Sequence, residues 1–227
     1  MVTTWRLAGF LGGVLLTAGV FTAPVAHLDH QSLTGHMVQH LVLMTVAAPL
    51  ILLGLPDRLS AQLSQCTPKV VGWLAGTFCI ILWHIPAVFA LGRQSERWHE
   101  FELATFLAAG LLFWSPVLLA RTSAKEQVRW SIPIYLFLAT LPCDTLSAFL
   151  TFCGRVVYPV YDSGAGLSDH SALRDQEFAG TIMWVWVTFV YLVPAVIHTV
   201  QGLSGRPHLV RLAELEDICL NPRNPVR

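Results

Sequence analysis

The chain has 227 residues, of which 54% are hydrophobic and only 12% charged, about half the charged share of a soluble domain (~25%). Fourteen Lys and Arg balance fourteen Asp and Glu, and with no basic run and no aromatic-basic ribbon nothing points to nucleic acid, which is not expected as a partner. The length and the short polar connections predict one membrane domain over 1–227.

Six apolar stretches, 7–26, 36–55, 70–91, 101–119, 131–152 and 180–201, each approach the ~20 residues a helix needs to cross ~30 Å of hydrocarbon. The expected fold is therefore all-α, a polytopic bundle of about six transmembrane helices embedded in the lipid bilayer. The first stretch has an alternative reading, since Pro24-Val25-Ala26 loosely resembles a signal-peptide cleavage site; its length favours retention. Lys and Arg on alternate sides of the spans count ten against four, which places both termini in the cytoplasm by the positive-inside rule. Proline occurs in every stretch, so kinked helices are expected. Residues 154–179 read as an outer loop. At 207–220, Leu209, Leu212, Leu215 and Cys219 recur at helical spacing, which predicts an interfacial helix.

Within the six stretches the only charged residues are Glu102 and Asp144. In the second stretch His36 and His40 stand four apart on one helix face, with His36 expected at the outer surface and His40 one turn deeper. Met37, His40 and Met44 share a stripe, which offers thioether and imidazole together; the plainer reading is that methionines fill gaps between helices. His84 lies toward the outer end of the third stretch, His99 and Glu102 are three apart at the start of the fourth, and Cys143-Asp144 falls in the outer half of the fifth. Asp175 stands just before the sixth. Polar groups from five helices thus converge on one half of the membrane, where a charge costs roughly 2.5–3.5 kcal/mol even on the lenient insertion scale.

Such a cluster admits a metal site, a proton path, a cofactor cradle or a purely structural network. Imidazole with thioether or thiolate selects copper, so His36, His40 and His84 with Met37, Met44 or Cys143 point to that metal. Met37 stands where a zinc peptidase helix would carry Glu, and no nucleophile-base pair is present, so no enzyme is expected. Haem is the alternative, with His40 and His84 as axial ligands. Five cysteines without a C-x-x-C pattern argue against a disulfide framework. His27 and His30 ahead of the second helix offer either a feeding site or a solvated loop, while His170, His198 and His208 are expected at interfaces or in loops.

The string from His36-Met37-Val38-Gln39-His40 to Met44, followed by Ala48-Pro49-Leu50, Gly54 and Pro56, resembles the opening of the CtaG family of cytochrome c oxidase assembly proteins. Leu82-Trp83-His84-Ile85-Pro86, His99 with Glu102 and Phe113-Trp114, Tyr158-Pro159-Val160-Tyr161, and Asp175-Gln176 with Ala179-Gly180 and Met183-Trp184 resemble it in the same order. The resemblance implies a polytopic helper in a bacterial-type cytoplasmic membrane, needed for an active haem-copper oxidase and linked to its CuB centre. Its partners would be the oxidase catalytic subunit and other copper chaperones, its cargo Cu(I). The motif residues carried over are His36, His40, His84 and His99, accompanied by Glu102, Asp175 and Gln176. The chain departs from the family pattern at Leu103, where His is common, and at Cys143-Asp144-Thr145-Leu146-Ser147, where Gly is usual. The alternatives to copper delivery are a haem-binding electron carrier and a metal-free assembly scaffold.

Overall fold

The computed structural model describes residues 4–22, 32–119, 130–159 and 169–204, and among these every regular element is helical. The predicted interfacial helix at 207–220, the His27 and His30 pair and His208 lie outside them, as does the side chain of His170. In chain order the helices are α1 (Thr4–Val20), α2 (Leu33–Gly54), α3 (Asp57–Cys66), α4 (Lys69–His84), α5 (Pro86–Gly92), α6 (Glu96–Leu118), α7 (Ser131–Phe152) and α8 (Asp169–Ser204).

Among the described residues four segments, rather than the six expected, are long and apolar enough to cross a membrane: Leu33–Gly54, Glu96–Leu118, Ser131–Phe152 and Ala172–Val200. The first predicted stretch forms the 17-residue α1, and the third is delivered in two pieces. Its break falls at Ile85, which precedes Pro86 and adopts φ −66°, ψ 123°. A proline ring disfavours helical backbone in the residue before it, so α4 stops at His84 and α5 restarts with Pro86 at its first position. At the other end of α4, α3 is bent 83° away and buries none of its residues.

Close approaches between helices fix their directions. A Cβ on Gly13 would meet the Ala47 carbonyl and Ile51, and one on Gly54 would meet Arg6 and Phe10, so α1 runs antiparallel to α2. Gly72 lies against Leu112 and Gly180 against Ser147 and Thr151, which sets α4 antiparallel to α6 and α8 antiparallel to α7. Gly110 packs on Met44 and Ala48, and Trp186 donates to Thr45 Oγ1 at 2.8 Å, so α2, α6 and α8 run parallel. Small residues at crossings are the usual device of membrane bundles, where backbones gain dispersion by approaching closely.

The α2 helix contains one widened turn, Leu43–Ala47, in which the Ala48 N–H reaches the Leu43 carbonyl five residues back. Pro49 explains it, since its ring clashes with the carbonyl four residues earlier and it has no N–H to give. In the widened register that missing donor would have served Met44, and the Trp114 indole N–H donates to the Met44 carbonyl instead, at 3.0 Å. At the N-terminus of the same helix, Asp175 accepts from Leu33 N at 2.6 Å, Thr34 N at 3.3 Å and Thr34 Oγ1 at 2.6 Å. This carboxylate from α8 caps α2 and complements its dipole. At the opposite end Arg6 donates to Asp57 at 2.8 Å and to the Leu55 carbonyl at 2.5 Å.

Gly110 marks the close crossing of α6 on α2, because an added Cβ would stand 2.8 Å from a backbone oxygen of α2. Gly110→Leu is expected to cost about 1–3 kcal/mol and lower the unfolding temperature in detergent, measured by circular dichroism. Gly12→Leu, where a Cβ meets nothing within 4 Å, should leave that temperature nearly unchanged.

Candidate metal centre

The centre forms where α2 and α6 begin side by side. Their parallel arrangement turns the His36–His40 face of α2 toward the His99–Glu102 face of α6, since residues three or four apart stack on one side of a helix. Glu102 is 1% exposed, and its carboxylate faces three imidazoles. His36 Nε2 and His40 Nε2 each lie 3.3 Å from Oε1, and His99 Nδ1 lies 3.6 Å from Oε2. The His36 and His40 rings are edge to face at 4.2 Å, and the His36 and His99 centroids are 5.8 Å apart.

These separations are long for charge-assisted hydrogen bonds, which close to about 2.7–2.9 Å. They match instead the spacing of two ligand atoms on one ion, since bonds of about 2.0–2.1 Å at a tetrahedral angle put the donors about 3.3–3.4 Å apart. One ligand atom each from His36, His99 and Glu102 falls within 4.8 Å of the others. Two imidazoles and a carboxylate, with the His40 imidazole beside them, form a donor set that imidazole-preferring metals such as copper and zinc favour.

Packing around the centre fixes each ring. Phe106 stacks on His40 at 3.9 Å with planes 18° apart, and Phe89 of α5 meets His36 edge-on at 5.0 Å. Tyr158 packs on Phe89 at 4.3 Å, and its hydroxyl donates to the His84 carbonyl at 2.8 Å. Burial pushes the Tyr158 phenol above its ordinary pKa, which keeps the proton this bond uses. Gln176 of α8 holds the same segment, accepting from Val157 N at 2.6 Å and donating to the Arg155 and Leu150 carbonyls. Gly92 at the end of α5 makes room for the carboxylate, because a Cβ there would stand 2.7 Å from Glu102 Oε2.

Of the expected site residues, His36, His40, His99 and Glu102 come together. His36 is wholly buried, since α5 covers it through Phe89. His84 lies next to the group but not in it, its ring centroid 6.5 Å from that of His40 and its Nε2 3.3 Å from Met37 Sδ. Met37, Met44 and Cys143 line a small cavity below the imidazoles together with His84. That cavity, about 20 Å³, has room for about one water molecule.

Two expected ligands are set elsewhere. Asp175 is committed to capping α2, and the half-buried Asp144 on α7 interacts with Thr140 one turn back on its own helix. Phe89, Gly92 and Phe106 escaped the sequence reading. Gly92 shows no signal until Glu102 is known to face it, whereas Phe106 four residues after Glu102 shares its helix face and was open to inference.

A family model for the cytochrome c oxidase caa3 assembly factor (Caa3_CtaG) matches residues 1–204. No curated protein and no solved structure matches the chain.

Gly92→Ala removes no ligand yet crowds the carboxylate. Its affinity for Co(II), used as a spectroscopic probe and read from visible absorption in detergent, is expected to fall about tenfold or more, as for other residues that orient metal ligands.

Proposed function

We propose a copper-handling role for this chain, which belongs to the cytochrome c oxidase caa3 assembly factor family. It takes up copper at His36, His99 and Glu102, with His40 as the neighbouring donor, and passes it to the catalytic subunit of a haem-copper oxidase during formation of the CuB centre. The observation that carries this reading is the convergence of three imidazoles from two helices on one buried carboxylate. A buried carboxylate is costly in hydrocarbon, and a cation shared with the imidazoles removes that cost.

The cargo is Cu(I), held by imidazoles firmly enough to be retained and with few enough ligands to be exchanged. The protein sits in a bacterial-type cytoplasmic membrane with both termini in the cytoplasm, so that the centre lies toward the outer face, where other copper chaperones reach it. A CuB centre lies inside its subunit at membrane depth, and a donor whose own site is within the bilayer can meet it there. The action is binding and release, with no turnover chemistry.

His36→Ala, His99→Ala and Glu102→Gln are each expected to lower oxidase activity and copper bound per purified chain together, by about tenfold or more, while membrane haem content changes far less. His198→Ala should leave both at the wild-type level. Oxidase activity and copper content, measured on membranes and purified chain from one strain set, decide it; full oxidase in all three variants would refute the role.

A further inference from the structure

The chain contains four methionines, Met1, Met37, Met44 and Met183, and the last three all line the one small cavity below the imidazole group. They come from α2 and α8, and Cys143 of α7 and His84 of α4 join them. With His40, six sulfur- or imidazole-bearing side chains from four helices therefore surround a space of about 20 Å³.

The orientation of His84 adds a second, independent observation. Its Nδ1 lies 2.7 Å from the Ile80 carbonyl, which can only accept, so Nδ1 carries the proton. In the neutral ring Nε2 then presents a lone pair, and it points at the Met37 thioether sulfur, another lone-pair donor, at 3.3 Å. No hydrogen atom stands between two such atoms in that form. An ion bonded to nitrogen at about 2.0 Å and to sulfur at about 2.3 Å would separate them by this distance at an angle of about 100°.

We propose that Met37 and His84, with Met44, Met183 and Cys143 around the same cavity, form a second metal site specific for Cu(I), deeper in the bundle than the His36–His99–Glu102 centre. The proposal rests on the copper reading above and extends it to two positions in series. Imidazole and carboxylate accept several metals, whereas a set dominated by thioethers favours a soft ion such as Cu(I) and disfavours hard ions such as magnesium. The inner site thus serves as the selectivity step. His40 borders both, its Nε2 beside Glu102 and its ring on the cavity wall.

The full chain, purified anaerobically in mild detergent, is titrated with Cu(I) against a chromogenic Cu(I) chelator. Wild type is compared with Met37→Leu, with the Met37→Leu/Met44→Leu/Met183→Leu triple variant and with Glu102→Gln; Met-to-Leu exchange nearly conserves volume and preserves the fold. Selenomethionine labelling supplies a direct readout, because X-ray absorption at selenium detects a copper neighbour. Two ions per chain in wild type, one in Met37→Leu and one in Glu102→Gln are expected. The copper–selenium shell should be present in wild type and Glu102→Gln and absent in the triple variant. A single ion in wild type, lost in Glu102→Gln and kept in the triple variant with no selenium shell, overturns the inner site and leaves the outer one standing. A single ion with a selenium shell, indifferent to Glu102→Gln, supports the inner site and removes the outer one. No Cu(I) in wild type overturns both.

Discussion

A carboxylate held inside an apolar bundle is the constraint around which the rest of this structure is arranged. Glu102 has almost no access to solvent, and a charge so placed needs partners at hand. Those facing it are imidazoles from its own helix and from α2. Imidazoles differ from lysine or arginine in one respect that matters here: when neutral they carry lone pairs, so the same shell that surrounds the carboxylate is also a set of ligands.

Close helix packing and side-chain bonds from neighbouring helices keep that shell together. Gly110 lets α6 lie against the widened turn of α2, and the Trp114 indole takes over the Met44 carbonyl that Pro49 leaves without a donor. The same turn directs Met44 toward the cavity, where its methyl group reaches to 3.1 Å from the Cβ position of Gly76. Asp175 and Gln176, adjacent on α8, fasten the start of α2 and the 153–158 segment at the same end of the bundle. The segment in turn holds His84 through Tyr158. Ring orientations at the centre therefore depend on α5 and α8, which contribute no donor atom to it.

The donors change character with depth. Oxygen and nitrogen surround Glu102, nitrogen and sulfur face each other at His84 and Met37, and sulfur dominates the cavity below. A bundle that had only to be stable could fill such space with leucine, isoleucine and valine.

The all-helical class and the rough positions of the helices were legible because hydrocarbon thickness is a length and apolar content a count, whereas α8 begins at Asp169, inside the segment expected as an outer loop. The stretches expected at 36–55, 101–119 and 131–152 fall on α2, α6 and α7, and the split of the third at Ile85 has a purely local cause in Pro86. The pairs His36 with His40 and His99 with Glu102 were also legible, since helical spacing places each pair on one face. The lateral arrangement was not. Nothing in the spacing of Asp144 or Asp175 says that one interacts along its own helix and the other caps a neighbour, or that His84 meets Met37 rather than the other histidines. Depth along a helix follows from sequence because rise per residue is fixed. Which faces meet across helices is decided by close packing among residues distant in the chain, and only the tertiary structure carries that.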